Sequence, residues 1–248
     1  QTHDVKGFNS NELNLTFPNA GDDLAKILDD QTVLIISARA SKNTDPLKTF
    51  EQDITITNNI ARAITISPVK KCVYFSSIAV YGEASENTNI TEETETSPSS
   101  LYGISRLAGE FAIKSITEKS RIPLTVFRPC MIYGPGARVF PYGPDQFLKC
   151  ALEESPVKIF GDGTEVRDYL YIQDLVNITE YFIHNHYPGT YLLGTGQSLS
   201  FADIIENIKE ITQKKVKIEK IEQKQPKINQ KLNVQKLIKA FPSLSFIA

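Results

Sequence analysis

Three short runs of unbroken apolar character constrain this chain most: Val33-Leu34-Ile35-Ile36, Cys72-Val73-Tyr74-Phe75 and Leu124-Thr125-Val126-Phe127. A strand with one wet face alternates between apolar and polar residues. A strand covered on both faces does not, and that is the mark of a parallel sheet with helices packed on it. Segments with helical spacing lie between the runs. Ile54, Asn58, Ala61 and Ile64 or Thr65 share a face over 53–67, and Leu107, Phe111 and Ile113 mark a helix over 102–120. Strand, helix and strand in repetition predict right-handed βαβ units, and so an α/β chain with a doubly wound parallel sheet.

The later half changes character. It predicts a short helix over 147–154, a short strand over 157–159 and a further helix over 174–184. Ser200-Phe201-Ala202-Asp203 reads as a capping box ahead of apolar Ile204, Ile205, Ile208 and Ile211. The stretch 216–221 alternates like a half-exposed strand. These pieces suit a smaller C-terminal lobe above the carboxyl ends of the strands, where open α/β sheets bind ligands. The expected division is 1–140, with parts of 170–195, for the sheet domain, and 141–248 mostly for the lobe. The polar stretch 83–100, with Glu92, Glu93 and Glu95, reads as a surface loop beside the site or as a mobile lid.

Composition removes several function classes. With 27 basic and 29 acidic residues the net charge is -2, which gives no field for nucleic acid or an anionic membrane. No apolar run is long enough to span a bilayer, and the opening residues lack a signal-peptide core. Cys72, Cys130 and Cys150 are far apart and without metal-ligand spacing, which predicts reduced thiols, a cytoplasmic setting and no metal. The opening is unusual for an α/β chain. Val5-Lys6-Gly7-Phe8 reads as a second strand with no first, and no glycine-rich dinucleotide fingerprint occurs anywhere. Gly194-Thr195-Gly196 stands too far ahead of the Ser200 helix to serve as one and reads as a plain turn.

Tyr102 and Arg106 are four apart at the start of a helix and therefore share a face. A tyrosine beside a cation can act as an acid or base, and a serine near it can hold a substrate oxygen. Ser76 and Ser77 end the second apolar run, at the carboxyl edge of the sheet. Read on its own, the same pair also describes a half-buried tyrosine beside a surface arginine.

Four motifs carry a resemblance. They are Ser76-Ser77-Ile78-Ala79-Val80-Tyr81-Gly82, Tyr102-Gly103-Ile104-Ser105-Arg106, Arg128-Pro129-Cys130-Met131-Ile132-Tyr133-Gly134-Pro135-Gly136, and Gly161-Asp162-Gly163-Thr164-Glu165-Val166-Arg167-Asp168-Tyr169 continuing to Asp174. In order and spacing the chain resembles the extended short-chain dehydrogenase/reductases, in their nucleotide-sugar epimerase and dehydratase branch. The resemblance implies a Rossmann-like fold, an NAD or NADP cofactor, a nucleotide-sugar substrate and a homodimer through the 53 and 102 helices. It implies Tyr102 as acid/base with Ser77 as hydroxyl partner and Arg106 beside them. It puts Asn9, Ala38, Tyr102, Arg106, Pro129 and Ile132 on the cofactor, and Ser77, Met131 and Arg167 on the substrate. Asn59 matches a family asparagine that is structural or part of a proton path, and Asp174 reads as structural.

The sequence departs from the family in three places. The family has lysine at Arg106, and an arginine is larger and more diffuse. The glycine loop that brings backbone amides to a pyrophosphate is missing. Met131 stands where many sugar epimerases have asparagine. Ile78 and Ala79 occupy the acidic pair of the dehydratases, so the expectation is a 4-epimerase or 4-ketoreductase. Two other readings remain open. One is a non-catalytic relative that binds a nucleotide or nucleotide sugar. The other is a truncated chain that has lost a first strand and a last helix.

Overall fold

The structure is a computed structural model and describes residues 4–41, 44–82, 86–136, 142–223 and 227–247. In chain order its elements are α1 Ala20–Ala25, β1 Val33–Ile36, α2 Pro46–Ile66, β2 Lys71–Phe75, a 3-10 turn Ile78–Tyr81, β3 Glu86–Ile90, α3 Leu101–Lys119 and β4 Leu124–Pro129. There follow β5 Met131–Tyr133, α4 Pro144–Leu152, β6 Val157–Phe160, β7 Val166–Arg167, β8 Tyr169–Tyr171 and α5 Ile172–His184. The last are β9 Gly189–Leu193, β10 Leu199–Ser200, α6 Phe201–Thr212, β11 Ile218–Ile221, β12 Asn229–Leu232 and α7 Gln235–Ala240. The chain divides into two compact units. The first comprises 1–82, 96–127 and 188–190, and the second 83–95, 128–187 and 191–248.

In the first unit the three apolar runs pair side by side. β1 and β2 are parallel with Ile36 opposite Tyr74, and β2 and β4 are parallel with Tyr74 opposite Val126. The sheet order is β1-β2-β4-β9, so the chain crosses by α2 and α3 between neighbouring strands, as βαβ units require. α2 begins well before position 53. Asp45 caps it by accepting from the backbone amides of Leu47 and Lys48, and Pro46 sits where its missing amide costs nothing. Ile56, Ile60, Ala63 and Ile64 of α2 pack with Leu24, Ile36, Tyr74, Ile113 and Val126 into one core. Each fully buried large aliphatic there contributes roughly 1.5–3 kcal/mol.

Two glycines in α3 are required by close approach. A side chain at Gly103 would strike the Ala79 carbonyl, so the helix's first turn lies directly on the 3-10 turn. A side chain at Gly109 would strike the Tyr74 hydroxyl, which donates to the Arg106 carbonyl at 3.3 Å.

The second unit has its own core. Phe147, Val157, Ile159, Tyr169, Phe201, Ile204 and Ile205 are buried together, with Tyr142 edge-on to Phe147 and Phe201. β6 pairs parallel with β11, and β5 pairs parallel with β8. The expected capping box is present: Ser200 Oγ accepts from the Asp203 amide at 3.1 Å, and Asp203 Oδ2 accepts from the Ser200 amide at 2.9 Å.

Two expectations fail. Residues 4–9 form no strand, and Val5 and Phe8 are exposed with no pairing partner among the described residues. The polar stretch 83–100 is not all loop, since it holds β3, paired parallel with β12 and ending in the fully buried Ile90. Residues 83–85 of that stretch lie outside the described residues. The three cysteines are free and buried, and burial pushes the Cys72 thiol up to about 12. Among the described residues no helix is long and apolar enough to cross a membrane, and no cluster of metal-ligating side chains occurs.

Candidate functional site

The helix start that carries Tyr102 is fixed from both sides. Ser100 caps α3 by accepting from the Gly103 amide at 3.1 Å, and Gly103 rests on the Ala79 carbonyl. Ala79 in turn belongs to the turn that Ser77 caps, its amide donating to Ser77 Oγ at 3.1 Å. Ser77 and Tyr102 thus sit on two elements locked together within the first unit. Ser76, next to Ser77, donates instead to the Glu110 carboxylate. Tyr102 itself is half-buried. The exposed Arg39 guanidinium lies 4.7 Å from its ring centre, and the Arg106 guanidinium 5.7 Å.

Arg106 is not the surface arginine of the simpler reading. Its side chain is 4% exposed, and its guanidinium meets Asp53 Oδ1 at 3.2 Å. Its Nη1 donates to the Ala38 carbonyl at 3.3 Å, while Nε is buried and without a hydrogen-bond partner among the described residues. Asp53 Oδ1 also accepts from the Ala40 amide at 2.7 Å, and Asp53 Oδ2 faces Ser105 Oγ at 3.3 Å. Ala38, half-buried, therefore reaches the site through its carbonyl, which holds Arg106. Asp53 was not singled out from the sequence. The signal was there: a carboxylate at 53 lies on the helical stripe of Ile56, Ile60 and Ile64, where an unpaired charge would be costly.

Asn9 and Asn59 both spend their side chains on backbone groups of the first unit. Asn9 Oδ1 accepts from the Asn11 amide at 2.9 Å, making a tight turn on an exposed loop. Asn59 accepts from the Gly21 amide at 3.1 Å and donates to the Leu15 and Phe17 carbonyls at 2.9 and 2.8 Å. That satisfies the amide group and ties α2 to α1, in line with the structural alternative for this residue.

In the second unit Pro129 ends β4, and Met131 and Ile132 lie on β5 opposite Tyr169 and Leu170. Met131 packs on the aromatic core, and Ile132 is 37% exposed. Arg167 is 13% exposed. It pairs with Glu165 at 3.4 Å and donates to the Val166 carbonyl at 3.1 Å and to the Ile228 carbonyl. Glu165 in turn accepts from the Ile228 amide at 2.7 Å. Asp168, buried beside it, accepts from the amides of Thr195 and Gly196, both at 2.8 Å. The Gly194-Thr195-Gly196 segment is thus a turn built on a carboxylate. Burial raises the Asp168 carboxyl, and those amides oppose the rise. Ile247 donates to buried Asp174.

A nicotinamide dinucleotide finds a partial fit in the first unit. Tyr102 is half-buried rather than sealed, and Arg39 forms no ion pair among the described residues, so both are free to meet an anionic or hydroxyl-rich ligand. The Arg106 guanidinium is not free to do so.

Comparison with known proteins agrees with this frame. The NAD dependent epimerase/dehydratase family model matches residues 2–194. The chain is 32% identical over 153 residues to YtcB of Bacillus subtilis, an uncharacterized UDP-glucose epimerase, covering 59% of this chain and 46% of that protein. It is 31% identical over 198 residues to the UDP-glucuronate 4-epimerase of Thermodesulfobacterium geofontis, covering 75% of this chain and 58% of that one. The chain thus spans about half the length of these curated relatives. The crystal structure of UDP-glucuronic acid 4-epimerase from Bacillus cereus, in complex with UDP-glucuronic acid and NAD, superposes with a TM-score of 0.78 at 26% identity, over 91% of this chain and 74% of that one. The parallel strand order, the serine turn against the tyrosine helix and the family match over residues 2–194 together establish that this chain, with its Rossmann-like α/β fold, belongs to the NAD dependent epimerase/dehydratase family.

Proposed function

We propose that the chain has the catalytic residues of an NAD-dependent UDP-sugar 4-epimerase or 4-ketoreductase. The observation that carries this reading is Tyr102 in the first turn of α3, locked against the Ser77 turn and faced by the Arg39 guanidinium, which forms no ion pair among the described residues. As a phenolate such a tyrosine can take the proton of a sugar hydroxyl and, as the phenol so formed, return it, and a nearby cation favours the charged form. Ser77 holds the same sugar oxygen. Bound NAD would supply the hydride acceptor that the protein itself lacks. Of the second unit's residues, Met131 and Arg167 would contact the nucleotide sugar, the arginine turning its fork to a diphosphate, and Pro129 and Ile132 would meet the cofactor.

A second reading has one observation in its favour. The Asp53 carboxylate neutralises Arg106, where the family's lysine is a working cation, and this suits a relative that binds a nucleotide sugar without turning it over. Two experiments separate the readings. Calorimetric titration with NAD and with UDP shows which ligands bind. Incubation with UDP-glucose or UDP-glucuronic acid and NAD, followed by separation of the 4-epimers, shows turnover. Under the enzyme reading both ligands bind, and Tyr102→Phe abolishes turnover while leaving UDP binding intact. Full turnover by Tyr102→Phe would remove the acid/base assignment. UDP binding without turnover of any 4-hydroxy sugar would favour the second reading.

A further inference from the structure

We propose that Arg39, and not Arg106, is the positioning residue that favours the charged form of Tyr102. This rests on the acid/base reading of Tyr102 given above and assigns a role to a residue that no motif singles out.

The argument begins with what surrounds residue 39. Arg106 donates to the carbonyl of Ala38, and Asp53 accepts from the amide of Ala40. The buried Arg106–Asp53 pair therefore grips the backbone on both sides of Arg39 and fixes where its side chain begins. From there the guanidinium lies 4.7 Å from the Tyr102 ring centre, nearer than the 5.7 Å of Arg106. A guanidinium over a ring is attracted by the negative face of the π system, and the attraction grows as the ring gains charge. Arg106 cannot supply the same field. With Asp53 at 3.2 Å it is half of a neutral pair, and a dipole's potential fades faster with distance than that of a single charge. Arg39 forms no ion pair among the described residues, so its charge stays whole, although water screens part of it.

The other groups near Tyr102 do not replace it. Tyr74, on β2, is pushed up to about 12 by burial and is neutral at ordinary pH. Glu110, farther along α3, is bonded to Ser76, and Asp53 is paired with Arg106. The arrangement thus splits one job in two. Arg106 with Asp53 holds the loop, and Arg39 on that loop carries the free charge. The step it assists is the transfer of a single proton from Tyr102 Oη to water, which leaves the phenolate.

The test follows the Tyr102 phenol directly. The full chain is prepared with labelled tyrosine Cζ and titrated by NMR without substrate or NAD, the Tyr102 signal being assigned as the one that Tyr102→Phe removes. The expected result is that the Tyr102 signal of Arg39→Gln titrates at higher pH than that of the parent, while Arg39→Lys stays near the parent. A midpoint unchanged in Arg39→Gln would overturn the proposal. Arg39 is exposed, so the substitution leaves the core untouched. Because no turnover is read, a chain inert in the epimer assay leaves this result standing, and a shifted midpoint leaves open whether Tyr102 is catalytic. The two readings therefore fail separately.

Discussion

The two units each contain an arginine that the family resemblance puts at the site, and they treat it in opposite ways. In the first unit Arg106 is 4% exposed and its partner Asp53 is 2% exposed, with Ala38, Ala40 and Ser105 closing the circle. In the second, Arg167 and Glu165 are 13% and 12% exposed, and the arginine's other bonds are to the backbone. A sealed pair cannot be exchanged for a ligand without opening the core. A pair that water reaches is opened at lower cost, because the carboxylate left behind is rehydrated and Glu165 keeps the Ile228 amide. The comparison teaches that two arginines in equally recognisable motifs differ in what it costs to free them from their carboxylates.

The contrast can be broken most directly at Asp53. Asp53→Ala strands the Arg106 charge inside the unit and frees the Ala40 amide, and the expected cost is about 3–5 kcal/mol in chemical denaturation. A loss below about 1 kcal/mol would mean that water reaches the pair and that Arg106 is as free as Arg167. A smaller effect is expected at Arg167. Arg167→Ala should weaken UDP binding by about 1.5–3 kcal/mol by calorimetry, the range of a charge-assisted hydrogen bond. Unchanged affinity would make Arg167 scaffold as well and erase the contrast. The smallest effect belongs to the exposed pair of Lys227 and Asp162, 2.6 Å apart. Lys227 and Thr164 hold the Asp162 carboxyl below its usual value. A carboxyl lowered in the folded state stabilises the fold above its unfolded value near 3.8, and that stability is lost as pH falls below it. Lys227→Ala should lower the neutral-pH melting temperature slightly, converge with the parent in strong acid, and so flatten the decline in stability below pH 3.8. A steeper acid decline in the variant would reverse the sign and refute the assignment.

Much of the first unit was legible because its signals are local. β1 matches the run Val33-Leu34-Ile35-Ile36 residue for residue, and α3 begins one residue from the expected start, where Ser100 caps it. The capping box at Ser200 was readable for the same reason, since four consecutive residues contain the whole device. The early start of α2 was also written locally, in Asp45 and Pro46, but the apolar spacing after 53 drew attention away from it. β3 was not legible. Glu-Asn-Thr-Asn-Ile has no strand character, and it becomes a strand by pairing with residues 229–232, far along the chain. Part of the candidate site escaped in the same way. Tyr102, Ser77 and Arg167 stand in recognisable strings, whereas Asp53 and Arg39 gain their meaning only when α2, α3 and the loop after β1 meet.

The contact between Gly109 and Tyr74 bears on how such a chain can drift. The Tyr74 hydroxyl occupies the space that a methyl at 109 would need, and it is held there by the Arg106 carbonyl. Alanine at 109 would have to displace the ring, and phenylalanine at 74 would give up the hydroxyl's bond to the Arg106 carbonyl. Neither position has a neutral single step away from its present residue. The two can be exchanged only together, so the sequence around Tyr102 is bounded by a packing lock three residues beyond Arg106 as firmly as by any demand of chemistry.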